Sequence, residues 1–149
     1  MSIPKKIHYC WFGRNPLPES AKKCIESWKK YCPAYEIIEW NEDNFDLTEN
    51  RYAREAYEQK KWAFVSDVAR LYAMVHEGGI YMDTDVEVIA PLDSLLQYHA
   101  VSGFETEHSI PTGLMACEKG NPMFTEFLNE YKTAHFLLPD GSLDQTTNV

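Results

Sequence analysis

Two hydrophobic periods alternate along this chain, and the switches between them mark its elements. Residues 6–12 are aromatic and β-branched and predict a first strand, closed by Gly13 and a turn at Asn15 and Pro16. A helix is expected from Pro18, Glu19 and Ser20 to about Tyr31. In it Ala21, Cys24, Ile25 and Trp28 form an i, i+3, i+4, i+7 stripe, and Pro33 lies just beyond its end. Residues 35–40 read as a second strand and residues 41–44 as a polar turn. Strand, helix and strand within about forty residues make a βαβ unit, which binds ligands at the carboxyl ends of its strands. Trp11 and Phe12 sit at such an end.

A polar helical stretch at 51–57 precedes the most periodic segment, residues 61–77. There Phe64, Val68, Leu71, Tyr72 and Val75 fall on one apolar stripe. Gly78 and Gly79 end that helix, Ile80 to Met82 form a short strand, and Asp83-Thr84-Asp85 follow at once. Residues 86–89 alternate as a half-buried strand, and Pro91, Leu92 and Asp93 open a short turn or helix. Further strands are expected at 100–104 and 114–117, with a helix from Pro122 to about Lys132. No repeat, linker or low-complexity tract interrupts the order, so the reading is one α/β domain over residues 1–149. The end of the chain, residues 140–149, reads as a loop entering a further element. The expectation is a chain that lacks C-terminal elements, with a frayed terminus as the alternative.

Composition narrows the partners. The 149 residues carry 14 Lys+Arg against 23 Asp+Glu, a net charge of −9. That balance disfavours a nucleic-acid backbone or an anionic membrane as the main partner. No apolar run reaches the roughly 18–20 residues of a membrane span. The four cysteines, Cys10, Cys24, Cys32 and Cys117, lack C-x-x-C or zinc-like spacing. With no secretory leader in the sequence, reduced thiols in the cytoplasm are the expectation.

Candidate chemistry gathers in two places. Asp83 and Asp85 lie two residues apart at a strand end, where both carboxylates can reach one cation. Such hard oxygen donors suit Mg²⁺ or Mn²⁺ bound together with substrate phosphates. Asp67 and Arg70 are i, i+3 neighbours on the periodic helix. On an exposed helix such a pair is worth a few tenths of a kcal/mol. This helix instead carries Ala63, Ala69, Ala73 and Met74 where a solvent face should be charged, so the pair stands out as polar groups on a largely buried element.

The run from Ala63-Phe64-Val65-Ser66-Asp67-Val68-Ala69-Arg70 through Gly78-Gly79-Ile80-Tyr81-Met82-Asp83-Thr84-Asp85 resembles the D-x-D region of sugar-nucleotide glycosyltransferases. So does the opening Ile3-Pro4-Lys5-Lys6-Ile7-His8-Tyr9-Cys10-Trp11-Phe12-Gly13. The likeness is to the family 32 group of capsular-polysaccharide glycosyltransferases and mannosyltransferases, with the bacterial glucosylating toxins as more distant relatives. It implies a GT-A-like fold with a mostly parallel sheet flanked by helices. It also implies retaining transfer of a hexose from a nucleotide-diphosphate sugar, UDP- or GDP-linked, to a saccharide or lipid-linked saccharide in surface polysaccharide synthesis. On that resemblance Asp85 binds the metal, and Asp83 contacts the ribose or donor sugar and helps hold the ion. Asp67 takes sugar hydroxyls, Arg70 the sugar or diphosphate, and Trp11 the nucleotide base. Tyr81 lines the cleft, although its phase against Ile80 and Met82 leaves it open between cleft and core. No protein nucleophile is assigned.

Two alternatives use the same residues. A D-x-D phosphatase would take one Asp as nucleophile and the next as acid/base. It is disfavoured by Glu87 two residues after the second Asp, and by a D-x-D lying beyond residue 80. A non-catalytic sugar-nucleotide binder is the other. Glu105, Glu107 and His108 fit an acceptor cleft or an exposed polar loop equally well. Contact with the inner face of a membrane is compatible with a lipid-linked acceptor, but no basic or amphipathic anchor supports it.

Overall fold

A computed structural model describes residues 3–98, 100–102 and 114–133. Its elements in chain order are β1 (Lys6–Cys10), α1 (Glu19–Tyr31), β2 (Glu36–Trp40), α2 (Arg51–Glu58), α3 (Trp62–His76), β3 (Gly79–Met82), β4 (Ala100–Ser102), β5 (Leu114–Cys117) and α4 (Pro122–Thr133). The strands form one sheet in the order β2-β1-β3-β5-β4. β1 pairs parallel with both β2 and β3, β5 runs antiparallel to β3, and β4 runs antiparallel to β5. Among the described residues four of the five strands therefore point the same way, the mostly parallel sheet that the resemblance implies.

Helices cover both faces, which is why β1 is buried almost throughout. Its side chains divide by the period of two. Ile7 and Tyr9 join Ile25 and Trp28 of α1, together with Ile80 and Met82 of β3. Cys10 joins the opposite core, where Val65, Val68, Ala69, Leu71 and Met74 of α3 meet Trp40, Tyr81 and Phe124. The same alternation settles Tyr81: it points away from α1 and toward α3.

His8 ties three segments together inside the sheet. It is fully buried; its Nε2 lies 2.8 Å from the Gly78 carbonyl, and its Nδ1 lies 2.9 Å from the Trp40 indole Nε1. An indole N–H only donates and a carbonyl only accepts, so the ring is the neutral tautomer with its proton on Nε2. Burial holds its pKa below the usual 6.5. Gly78 is also where α3 stops: its N–H donates to the carbonyls of Ala73 and Met74, and its φ of +70° is one that glycine adopts freely. A Cβ there would lie 2.6 Å from the Lys119 backbone nitrogen.

Two expectations change. β1 ends at Cys10 rather than at residue 12, so Trp11 and Phe12 leave the ladder and turn toward the cleft described below. Residues 86–89 form no strand, although Val88 is buried and Ile89 is 79% exposed, as the alternation requires. Their backbone bonds to side chains of α1 instead: Trp28 Nε1 donates to the Val86 carbonyl at 2.8 Å, and the Val88 N–H donates to Ser27 Oγ at 2.9 Å. Two side chains thus do what a neighbouring strand would do. The strand expected over 100–104 is seen as β4, Ala100–Ser102. Residues 103–104 lie outside the described residues, as do Glu105, Glu107, His108 and 140–149.

His8→Leu should cost about 2–4 kcal/mol, because it leaves the Trp40 N–H and the Gly78 carbonyl buried without their partner. The pH dependence should change as well. A histidine whose folded pKa lies below its unfolded value contributes stability above pH 6.5 that is lost as pH falls. Urea midpoints at pH 7.5 and 5.5 test this: the gap between wild type and His8→Leu should narrow at the lower pH.

Candidate active site

The carboxyl ends of β1, β2 and β3 lie at one edge of the sheet, because all three strands are parallel. A cleft of about 450 Å³ opens there and is built from three elements. The end of β1 gives Cys10, Trp11, Phe12 and Asn15. The first two turns of α3 and a little beyond give Trp62, Ala63, Ser66 and Arg70. The end of β3 gives Tyr81, Asp83, Thr84 and Asp85. Trp11, Arg70, Tyr81, Asp83 and Asp85 thus line one cleft. Asp67 is not on the lining and reaches the site through Arg70.

Arg70 is only 6% exposed. One terminal nitrogen lies 3.4 Å from Asp67 Oδ1 and 3.7 Å from Asp83 Oδ1, and its Nε donates to the Ser66 carbonyl at 3.3 Å. Its guanidinium carbon stands 4.8 Å from the centre of the Tyr81 ring, within cation–π range. Tyr81 in turn donates its hydroxyl proton to Asp83 Oδ1 at 2.8 Å. Burial works against the Arg70 charge, yet the surrounding Tyr81, Asp83 and Asp67 hold its pKa above the usual value, so it remains a cation.

Asp67 shows the opposite balance. Burial pushes its carboxyl up from 3.8 to about 6; Arg70 pulls it down and Asp83 adds to the rise. The Cys10 thiol, deep beside Arg70, is pushed up to about 12 by burial, so it is no nucleophile at neutral pH. Asp83, with 36% of its side chain exposed, and the exposed Asp85 face the cleft.

The donor set at this edge fits a hard divalent cation only in company. Among the described residues no group of three or more His, Cys, Asp or Glu could hold a metal ion. Two carboxylates, with the other positions left to phosphate oxygens and water, are what Mg²⁺ and Mn²⁺ use in phosphate-bearing sites.

Trp62, Ser66 and Cys10 are lining residues that sequence reasoning missed. Counting back from Arg70 in steps of four reaches Ser66 and then Trp62, so the helical period already carried that signal. Ala63, expected among the buried positions of the helix, is exposed at the cleft. A second cavity of about 470 Å³ lies against the other side of α3, among Phe45, Val68, Tyr72 and Leu128. Its rim is committed to local structure: Asp46 accepts from the Thr48 N–H, Asn50 from the Ala53 N–H, and Asn44 from the Asn41 N–H. It offers no convergent charge of the kind found in the first cleft.

Comparison with known proteins gives this edge its context. Residues 18–102, more than half of the chain, match the family described as glycosyltransferase sugar-binding region containing DXD motif. Inositol phosphoceramide mannosyltransferase 3 of Schizosaccharomyces pombe is 30% identical over 133 residues, covering 84% of this chain and 36% of that protein. Glucan organizing enzyme 1 of Cryptococcus neoformans is 48% identical over 128 residues, covering 70% of this chain and 35% of that protein. The chain thus spans about a third of the length of these relatives. Among solved structures, the PaToxG glycosyltransferase superposes with a TM-score of 0.72 at 22% identity, covering 86% of this chain and 60% of that one. That likeness shows the fold, which is GT-A-like. The match spans α1, β2, α3, β3 and the Asp83-Thr84-Asp85 motif, and the chain belongs to the family of glycosyltransferases with a DXD-containing sugar-binding region.

Proposed function

We propose that this chain is the donor-binding part of a metal-dependent, retaining glycosyltransferase that moves a hexose from a nucleotide-diphosphate sugar to a saccharide or lipid-linked saccharide acceptor. The observation that carries this reading is the convergence of Asp83, Asp85, Arg70, Tyr81 and Trp11 on one cleft at the carboxyl edge of the sheet. Surface polysaccharide synthesis is the setting we favour. The relatives named as inositol phosphoceramide mannosyltransferases support hexose transfer and add a lipid-borne acceptor to the candidates. The four cysteines are free thiols, in keeping with a cytoplasmic location.

In this reading Asp85 and Asp83 hold Mn²⁺ or Mg²⁺, which when bound neutralises charge on the departing diphosphate as a Lewis acid. Arg70 places a fixed positive charge at the cleft floor, oriented before the donor arrives by Asp67, Asp83 and the Tyr81 ring. Trp11 presents an indole to the nucleotide base. Its Nε1 donates to the Asn15 carbonyl at 2.6 Å, which fixes the ring plane. The resemblance gives Asp67 the donor-sugar hydroxyls, but this residue lies off the cleft lining, and its part in this reading is to orient Arg70 from behind. The attacking group is a hydroxyl of the acceptor.

Titration calorimetry with UDP and GDP, each with and without Mn²⁺, tests the reading. One of the two should bind only with the ion, and Asp85→Ala should weaken that binding by at least about tenfold. Metal-independent binding would count against the roles of Asp83 and Asp85. Asp83-dependent release of phosphate from phosphomonoesters would select the phosphatase reading instead.

Asp67 supplies a separate prediction for the empty protein. Its folded pKa of about 6 lies above the ordinary 3.8, so its contribution to stability is greatest below pH 3.8 and declines as pH rises through 6. Asp67→Asn imitates the neutral acid and escapes that decline. It should be more stable than wild type by about 1–3 kcal/mol at pH 7.5, with the gain vanishing near pH 4. Urea denaturation at the two pH values measures it, and the same variant should lose donor affinity.

A further inference from the structure

One wall of the cleft is a loop whose shape the strands do not dictate. After β1 the chain keeps a single ladder-like bond, from the Trp11 N–H to the Trp40 carbonyl at 2.9 Å, and then turns away. The turn needs two successive residues in the left-handed region, Gly13 at φ +101° and Arg14 at φ +62°. The second is not glycine, a conformation that persists only where surrounding contacts over-determine it. Those contacts come from the turn after β2. The Gly13 N–H donates to Glu42 Oε2 at 2.7 Å, and the Arg14 guanidinium grips both oxygens of Asp43 at 2.8 and 3.1 Å.

The two carboxylates are not equivalent. The Arg14–Asp43 pair is well exposed, with 60% and 70% of the side chains open to solvent, where such pairs contribute little. Glu42 is half-buried and makes a charge-assisted bond to a backbone N–H. The same oxygen accepts the Tyr57 hydroxyl of α2 at 3.0 Å. The Tyr57 ring lies 5.1 Å from the Trp62 ring, and the Trp62 indole fills the space that a Cβ at Gly13 would occupy, at 2.7 Å. Both indoles of the cleft, Trp11 and Trp62, are thereby referenced to one Tyr57–Glu42 pair that does not itself line the cleft.

We propose that Glu42 is a positioning residue for the nucleotide: by holding the Gly13 N–H while being held by Tyr57, it fixes the Trp11 wall in its binding geometry before the donor arrives. This rests on the reading of the cleft as a nucleotide site. Glu42 touches no substrate; it removes the ordering cost that a mobile loop would charge against binding.

Three variants of the chain test it: Glu42→Ala, Glu42→Gln and Tyr57→Phe. The probes are UDP and GDP with Mn²⁺, followed by calorimetry, together with the Gly13 amide signal in a ¹H–¹⁵N spectrum of the empty protein. Glu42→Ala should shift the Gly13 amide, speed its exchange with solvent and weaken nucleotide binding about tenfold. Glu42→Gln keeps an acceptor oxygen for Gly13 and should restore affinity to within about threefold of wild type. Tyr57→Phe, which leaves the carboxylate in place but unbraced, should fall between them. If wild type binds and Glu42→Ala binds equally well, the proposal is overturned while the nucleotide reading stands. Equal losses for Glu42→Ala and Glu42→Gln would also overturn it. If wild type binds neither nucleotide, the reading of the cleft fails and the proposal falls with it.

Discussion

The buried guanidinium of Arg70 is the interaction on which the site depends. It lies between Asp67 on its own helix and Asp83 beyond the end of β3, over the face of Tyr81. Without it, two carboxylates would share a largely buried corner with nothing to offset their repulsion. A buried ion pair adds little net stability compared with apolar packing, but losing Arg70 would leave the Asp67 and Asp83 carboxylates uncompensated and cost several kcal/mol. Arg70 therefore does less to stabilise the domain than to fix one arrangement of it. α3 must present this residue at the end of β3, and Ala69 and Ala73, both fully buried, leave the helix room to approach the sheet.

His8 does for the scaffold what Arg70 does for the site. Each is a polar side chain in the interior with partners from more than one element, and each fixes a register that apolar packing alone would leave loose. His8 joins β1 to the end of β2 through Trp40 and to the α3–β3 turn through Gly78. That one ring ties the middle of β1 to the last residue of β2 and to the turn leading into β3, and so helps to set the register of these strands. The residues that follow them, Trp11, Glu42 and Asp83, then converge on the same edge of the sheet.

Much of this arrangement was legible in the sequence, and the exceptions share a cause. Periodicity located α1 and α3 because burial of one stripe is a local property, and the D-x-D pair was visible because it directly follows an apolar strand. Residues 86–89 alternate correctly and still form no strand, since alternation reports which side chains are buried and not what the backbone bonds to. There the partners were Ser27 and Trp28. Tyr81 could not be placed until the sheet showed which face α3 covers. Glu42 had no signal at all: in sequence it is one polar residue of a turn, and its importance arises from Gly13, Tyr57 and Trp62, which are distant along the chain. Glu105, Glu107 and His108 lie outside the described residues.

The acidity of the chain now has a local meaning. Around the cleft, Asp67, Asp83 and Asp85 face one fixed cation, Arg70, so with its carboxylates ionised the corner carries a charge of about −2. A nucleoside diphosphate brings at least as much negative charge, and two unit charges about 4 Å apart interact by roughly 4 kcal/mol at an effective dielectric of about 20. Anion and site would then repel one another at that scale for each close pair. A single divalent ion held by Asp83 and Asp85 would bring the site's own sum to zero, with phosphate oxygens available as further ligands. Protonating Asp67 would relieve only half of that charge. The overall charge of −9 thus disfavours a polyanion as partner, yet it is compatible with a small phosphorylated ligand that arrives with its own cation.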